Sequence, residues 1–408
     1  MRILIAETSY YVSFHGEAIF TYNLTQGLAK LGHEVMVMVN SERGRGYRED
    51  HTGVQVAALD TFSLKRLHPN AALPYFPELS VGRIIKSFKP DLVHIQDHYP
   101  ISRAVALSAQ RQGIKLVGTN HFMPENIAPH VPFAARIKPI FNWVLWTWML
   151  ELYNRLDGAA APSKTAAEMV RARGLKPAVV PISCGVDTGL FSTRHQGNRQ
   201  QIFRQYGMDP EKTTFFFVGR IDGEKRLDVI LHALRKLDRD DVQFIIAGNG
   251  TVAKQLKSLV HELGLGRKVA FTGFIPNPDL PAVLNSIDVF VMPSEAELLS
   301  IATLEAMACA RPVLAADAVA LPELVTDEVN GYLFRAGDVD DAARRMAQLA
   351  DQPERLPAMG KASLEKAQAH SLENVVAHYE HFYRAVLEGA PLTGVGEPAR
   401  ERRRSTAS

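Results

Sequence analysis

A chain of 408 residues, 46% of them hydrophobic and 22% charged, can bury a large core, which excludes disorder for all but local segments and points to two domains of roughly 100–200 residues. Lys and Arg total 46 against 44 Asp and Glu, and a net charge of +2 excludes a broad basic surface of the kind that holds nucleic acid. The charge is uneven: residues 1–190 carry 20 basic and 15 acidic side chains, the remainder 26 and 29, so the front half is +5 and the back half −3.

The first apolar run, within Met1-Arg-Ile-Leu-Ile-Ala-Glu7, is shorter than the ~7–15-residue core of a secretory signal, and reads as the first strand, Ile3–Ala6, of a cytoplasmic protein. A helical pattern over Ala18–Leu31 stops at Gly32, a usual C-terminal glycine. Strands are predicted at Glu34–Val39, Leu92–Ile95, Lys115–Thr119 and Gly158–Ala161, while Asn40–Leu79, rich in charge, Pro and Gly, reads as loops with one weak strand at Gln55–Ala58. The most apolar stretch, Pro139–Leu150, falls short of the ~20 residues that cross a bilayer. Cys184 and Cys309 lie in hydrophobic contexts without a CxxC and read as buried thiols, with neither a disulfide nor a zinc site.

Ser192–Gln200 lacks a hydrophobic period and reads as a linker. Beyond it the alternation resumes with strands at Thr214–Gly219, Gln243–Gly248, Val269–Thr272, Val289–Met292, Pro312–Ala315 and Gly331–Phe334. Strands alternating with helices predict an α/β protein of two Rossmann-like parallel-sheet units, over 1–195 and 196–370. Val375, Val376, Tyr379, Phe382, Tyr383 and Val386 then recur at helical spacing, a final helix within 371–388 expected to cross back onto the first domain. Residues 389–408, with Arg400-Glu-Arg-Arg-Arg404, read as a disordered tail.

Parallel sheets bind ligands at the carboxyl ends of their strands, and three such ends in the back half carry chemistry. After the first comes Gly219-Arg220-Ile-Asp-Gly223-Glu-Lys225-Arg226, glycines for close approach and cations for a diphosphate, although the same run also suits a solvated turn. After the second, Gly248-Asn-Gly250-Thr-Val-Ala253 fits the dinucleotide pattern but lacks the acidic residue that would hold an NAD ribose; a glycine-lined wall of a nucleotide pocket fits better. The third is Ser294-Glu-Ala-Glu297-Leu-Leu299-Ser300-Ile301-Ala-Thr-Leu-Glu305. Here a helix N-terminus and two carboxylates could hold the phosphates and hydroxyls of a nucleotide-sugar.

The ordered set VGRIDGEKR, GNG, FTGF, Glu297-x7-Glu305, AMACARPV and NGYLF resembles the retaining glycosyltransferases of sequence family four, which have the GT-B fold of two Rossmann-like domains facing a central cleft. The resemblance runs from about Met1 to Leu387 and includes His94-Ile-Gln-Asp97-His98, Thr119-Asn-His121, Ala161-Pro-Ser163 and Ser183-Cys-Gly185-Val-Asp187. It implies that Arg220 and Lys225 bind the donor diphosphate, Glu297 the donor sugar and Glu305 the ribose, with Gly250, Leu299, Ser300 and Ile301 also on the donor side and Gly16 in a loop near the diphosphate. It places His121 near the reaction centre, with Asp97 and Glu125 in the acceptor region. The chain has one glycine at His15-Gly16-Glu17 where the family commonly has two, and Leu299-Ser300 where Phe-Gly is frequent.

The implied reaction moves a hexose from a nucleoside-diphosphate sugar, a co-substrate, to a hydroxyl, with no cofactor and no metal required. A front-face path in which the leaving phosphate takes the acceptor proton needs no carboxylate nucleophile. The charge of the front half, Trp143, Trp146 and Trp148 beside Arg136, Lys138 and Arg155, and Thr119-x-His121-x-Met123, similar to diacylglycerol glucosyltransferases, point to a membrane lipid such as diacylglycerol or a glycolipid as acceptor, with peripheral contact at the inner face of the membrane, although the tryptophan stretch also reads as a buried helix that packs its aromatics in the core. A soluble or polysaccharide acceptor, a non-catalytic nucleotide-sugar binder and a Rossmann oxidoreductase are the alternatives.

Overall fold

A computed structural model describes residues 1–10, 16–63, 72–75, 77–124, 138–195 and 197–395. The chain forms two compact units, one of Met1–Cys184 together with the chain from Leu372 onward, the other of Gly185–Ser371.

The first unit runs β1 (Arg2–Ala6), α1 (Gly16–Lys30), β2 (Glu34–Asn40), β3 (Tyr47–His51), β4 (Val54–Leu59), β5 (Thr61–Ser63), β6 (Ala72–Pro74), α2 (Pro77–Phe88), β7 (Leu92–Ile95), α3 (Pro100–Arg111), β8 (Lys115–Thr119), α4 (Lys138–Tyr153), β9 (Gly158–Ala161), α5 (Lys164–Ala172) and β10 (Val179–Pro181). Its main sheet has the order β10-β9-β8-β7-β1-β2-β4-β3, parallel except for the edge strand β3. Buried on both faces, β1 from Ile3 onward and β9 are apolar runs with little alternation, and β7 is interrupted only by buried His94. Winding outward from β1 in one direction to β4 and in the other to β10 creates a switch point between β1 and β7, where a doubly wound sheet opens a crevice.

Residues 40–79 correct the sequence reading, since they hold β3, β4, β5, β6 and the start of α2. The expected weak strand is a fully paired one: Val54, Val56, Ala57, Ala58 and Leu59 are buried between β2 and β3. The C-terminal helix, Leu372–Glu388, buries Val375, Val376, Tyr379, Phe382, Tyr383 and Val386 in this unit. Gly27 of α1 makes room for it, because a Cβ there would lie 2.3 Å from Val376 Cγ2. The expected tail begins later than Gly389: Ala390 N donates to Ala385 O, and Val395 is buried. Residues 396–408, with the arginine run, lie outside the described residues.

The second unit runs α6 (Arg199–Gln205), β11 (Thr213–Val218), α7 (Leu227–Leu237), β12 (Val242–Ala247), α8 (Ala253–Glu262), β13 (Val269–Gly273), α9 (Leu280–Leu284), β14 (Val289–Met292), α10 (Ile301–Ala308), β15 (Val313–Asp317), α11 (Leu321–Leu324), β16 (Gly331–Arg335), α12 (Val339–Asp351) and α13 (Leu356–Gln368). Its all-parallel sheet, β13-β12-β11-β14-β15-β16, has the Rossmann order 3-2-1-4-5-6 and a switch point between β11 and β14.

The unit begins ahead of the expected boundary at 195 because residues 185–195 are built into it: Val186 N donates to His370 O, Phe191 enters the core, and Asn285 Nδ2 donates to Ser192 O at 2.8 Å. The supposed linker also contributes Arg199, whose guanidinium holds Asp288 and the carbonyls of Pro210, Ser286 and Lys212. Both cysteines are buried thiols, pushed up to about 12 by burial.

Candidate functional site

At the second unit's switch point, β11 ends on Gly219 and the chain passes through Arg220 into a short 3-10 turn, Gly223–Lys225. Arg226 follows in the left-handed region (φ 47°) and turns the chain into α7. The cations of this loop are held by acids. Arg220 bonds Asp222 at 3.0 Å and Glu224 at 3.4 Å, and Lys225 Nζ lies 2.5 Å from Glu297 Oε1, with the two side chains only 14% and 12% exposed. Arg226 pairs with Asp228 and Glu295. One sequence-predicted pair of roles is thus a direct contact, a cation for phosphate against a carboxylate for sugar hydroxyls.

Two neighbouring loops fix this arrangement. Asp222 Oδ1 accepts from Thr251 N at 2.9 Å and Thr251 Oγ1 at 2.8 Å, and Ile221 N donates to Asn249 O. A Cβ on Gly248 would lie 1.9 Å from Gly219 O, and one on Gly250 2.2 Å from Ile221 O. The Gly-Asn-Gly turn therefore braces the loop bearing Arg220 by backbone contact, a packing role for Gly250. On the other side Ser294 Oγ and Glu295 N both donate to Glu224 O. Asp222 and Glu224 stood in the quoted motif but were not singled out as site residues.

Ser300 is the N-cap of α10, its buried hydroxyl accepting from Thr303 N at 3.3 Å, so Leu299, Ser300 and Ile301 form the helix entry. Glu305 lies on the second turn, half-buried. Burial pushes its carboxyl up to about 8, and among the described residues the carboxylate has no partner. A group so placed can accept hydroxyl hydrogens in exchange for the water it has lost.

In the first unit, residues at the carboxyl ends of β1, β7 and β8 form a second polar group. Asp97 follows β7; its Oδ2 accepts from Thr8 N and Thr8 Oγ1, both at 2.8 Å, and Oδ1 from Tyr99 N at 2.9 Å. Burial still raises its carboxyl. Glu7, after β1, and Glu17, on the first turn of α1, are held well above the carboxylate range, chiefly by burial and then by neighbouring carboxylates. Neither was marked in the sequence. Gly16 is exposed at the start of α1, and Glu125 lies outside the described residues.

His121 follows β8, half-buried with its ring 4.9 Å from that of Phe20 and its Nε2 3.2 Å from Gln96 Oε1. Burial lowers it to about 3, so the ring is neutral at physiological pH. Beyond it, α4 splits its tryptophans: Trp146 is buried, whereas Ile140, Trp143 and Val144 are 63%, 65% and 48% exposed. Trp146 thus follows the reading of a helix packed into the core, and Trp143 that of an exposed interfacial one. Among the described residues no helix is long and apolar enough to cross a membrane.

Two families of known proteins match the chain. The family described as Glycosyltransferase Family 4 matches residues 14–190, and that described as Glycosyl transferases group 1 matches 198–366. The chain is 28% identical to sulfoquinovosyl transferase SQD2 of Arabidopsis thaliana over 85% of its own length and 66% of that protein's. It is 30% identical to a D-inositol 3-phosphate glycosyltransferase of Kribbella flavida, over 73% and 72%, and 24% identical to an alpha-monoglucosyldiacylglycerol synthase of Streptococcus pneumoniae, over 94% and 85%. Anabaena HepE, solved in complex with UDP-glucose, superposes with a TM-score of 0.74 at 18% identity, covering 94% of this chain and all of that one.

Proposed function

The chain is a glycosyltransferase of family 4 with the GT-B fold, and from that premise we propose that it transfers a hexose from a nucleoside-diphosphate sugar to a hydroxyl acceptor with retention at the anomeric carbon. The observation that carries this reading is the Lys225–Glu297 contact at the β11/β14 switch point, with Arg220 and the entry to α10 in the same unit.

When the glycosyl–oxygen bond breaks, negative charge develops on the leaving diphosphate. Lys225 and Arg220, freed from their acids by the donor, neutralise it, and the N–H groups at the start of α10 add partial positive charge. Glu297 and Glu305 take the sugar and ribose hydroxyls. On the same face of the sugar a phosphate oxygen accepts the proton of the incoming hydroxyl as its oxygen bonds to the anomeric carbon, which preserves the configuration. This route uses the protein's own cations and calls on no bound metal. His121 and Asp97 serve the acceptor and the reacting centre.

The acceptor we favour is a membrane lipid, diacylglycerol or a glycolipid. The apolar face of α4, the +5 charge of residues 1–190 and the likeness to a diacylglycerol-lipid synthase support it. The test is release of nucleoside diphosphate from a panel of UDP-, GDP- and ADP-sugars, with and without membrane lipid extract. One productive donor with lipid-dependent release is expected, and the product's anomeric proton coupling should match the donor's configuration. Release indifferent to lipid moves the acceptor to a soluble or polysaccharide hydroxyl; no release with any donor leaves a nucleotide-sugar binder. Sedimentation with anionic vesicles at low salt should carry the protein down, and Trp143→Ala should weaken that binding.

A further inference from the structure

Arg226 stands where three local demands favour another residue. Its backbone is left-handed (φ 47°, ψ 39°), a conformation that glycine adopts without strain and arginine does not. It is the N-cap of α7, yet its side chain makes no capping bond, since a guanidinium has no lone pair to offer a backbone N–H. Its charge also stands at the positive end of the helix dipole. Glycine would ease all three, so the reason for arginine lies in what its side chain reaches.

It reaches the loop after β14, within the same unit. Nε and Nη2 donate to the two oxygens of Asp228, on the first turn of α7, both at 3.3 Å, which sets the plane of the guanidinium. Nη1 is thereby aimed at Glu295 Oε1, to which it donates. The turn after β16 packs against this pair at Gly337, where a Cβ would lie 3.3 Å from Glu295 Oε1 and 3.7 Å from Arg226 Nη1.

Glu295 lies two residues before Glu297, and the main chain of their loop is anchored on both sides. Glu295 N donates to Glu224 O at 3.1 Å, and Ala320 N, from the turn after β15, donates to Glu297 O at 3.2 Å. Lys225 also holds Glu297, but on the reading above that contact yields to the donor's phosphates. The Arg226–Glu295 pair does not depend on Lys225 and stays to keep the loop in place. We propose that Arg226 is a positioning residue: acting through Glu295, it holds Glu297 in register for the donor sugar once Lys225 has turned to the phosphates. The clamp stands on these contacts alone; its effect on turnover rests on the reading of Glu297 as the carboxylate that takes the sugar hydroxyls.

Hydrogen exchange in the full-length protein, without donor, reads the clamp at the amide of Glu295. With side chains 32% and 37% exposed, the pair is sized for about a fivefold effect, the equivalent of ~1 kcal/mol. Arg226→Gly should speed exchange by that factor. Glu295→Ala, which leaves the β11 turn untouched, should do the same, and the double variant no more than either. Unchanged exchange in the two single variants, or additive acceleration in the double one, overturns the proposal. With the nucleotide-sugar that proves productive in the panel above, Arg226→Gly should lower kcat/KM about fivefold. The Kd of its nucleoside diphosphate, which carries no sugar for Glu297, should stay as in wild type, and Tm within a few degrees. An equal loss of nucleoside diphosphate affinity would make Arg226 a phosphate ligand and overturn the positioning role, as would faster exchange with unchanged kcat/KM. A wild type that binds no nucleotide removes the reading of Glu297, while exchange at Glu295 still decides the clamp.

Discussion

Lys225 shows how one side chain serves fold and chemistry unequally. Its ammonium is already satisfied by Glu297, so the charge is preorganised before any phosphate arrives. Lys225→Ala is expected to lower kcat by about 10²–10³, the usual loss when one preorganised group is taken from developing charge, while Tm moves by only a few degrees. Unchanged turnover would remove Lys225 from the diphosphate site. Glu305 offers a pH signature. Its folded value, about 8, lies above the ordinary glutamate value, so its contribution to stability is fully present below that ordinary value and is lost as pH rises through 8. Glu305→Gln should therefore gain Tm relative to wild type between pH 6 and pH 9; a difference constant across that range would contradict the shift. The charged residues of this site were legible in the sequence because a strand end, two glycines and alternating charge stand close together there. The acids that hold the cations were not: the run shows Asp222 and Glu224 but gives no sign that they turn inward to Arg220.

Glycine decides the geometry of the Arg220 loop through what it leaves out. Gly250 packs its α-carbon against the backbone of Ile221, which unlike a side-chain tip has nowhere to move. Gly250→Ala should cost about 1–3 kcal/mol, read as a lower Tm, and should raise the donor KM by shifting Arg220; an alanine variant with wild-type melting would show that the turn stands off from the loop. The same turn had matched a dinucleotide fingerprint, because spacing alone cannot tell a glycine that approaches a ligand from one that approaches its own chain. Most strands were legible since strands buried on both faces read as unbroken apolar runs. β3 was missed because Tyr-Arg-Glu-Asp-His on an antiparallel edge carries no apolar run, and α2 was obscured by the Pro and charge around it. The tryptophans of α4 share one sequence signal, and only packing separates buried Trp146 from exposed Trp143.

At the scale of the whole molecule the two units differ in self-sufficiency. One continuous apolar core, from Val186 to Ala367, lies wholly inside Gly185–Ser371. That fragment is expected to fold alone with a cooperative melt, whereas 1–184 should not until supplied with 372–395, whose helix covers α1 and donates Tyr379 and Tyr383 to the sheet. Heat-capacity scans of the separate fragments and of the co-expressed pair check this, and a cooperative melt for 1–184 alone would refute it. The return of the chain also sets a schedule for biosynthesis. The ribosome starts the first unit, must then make all of Gly185–Ser371, and only afterwards delivers the closing helix. At 5–20 residues per second this interval is roughly 10–40 s. Through it the groove beside α1 that receives Val376 stays open on the nascent chain, a natural place for a chaperone to wait, and a premature stop after Ser371 would leave it open for good.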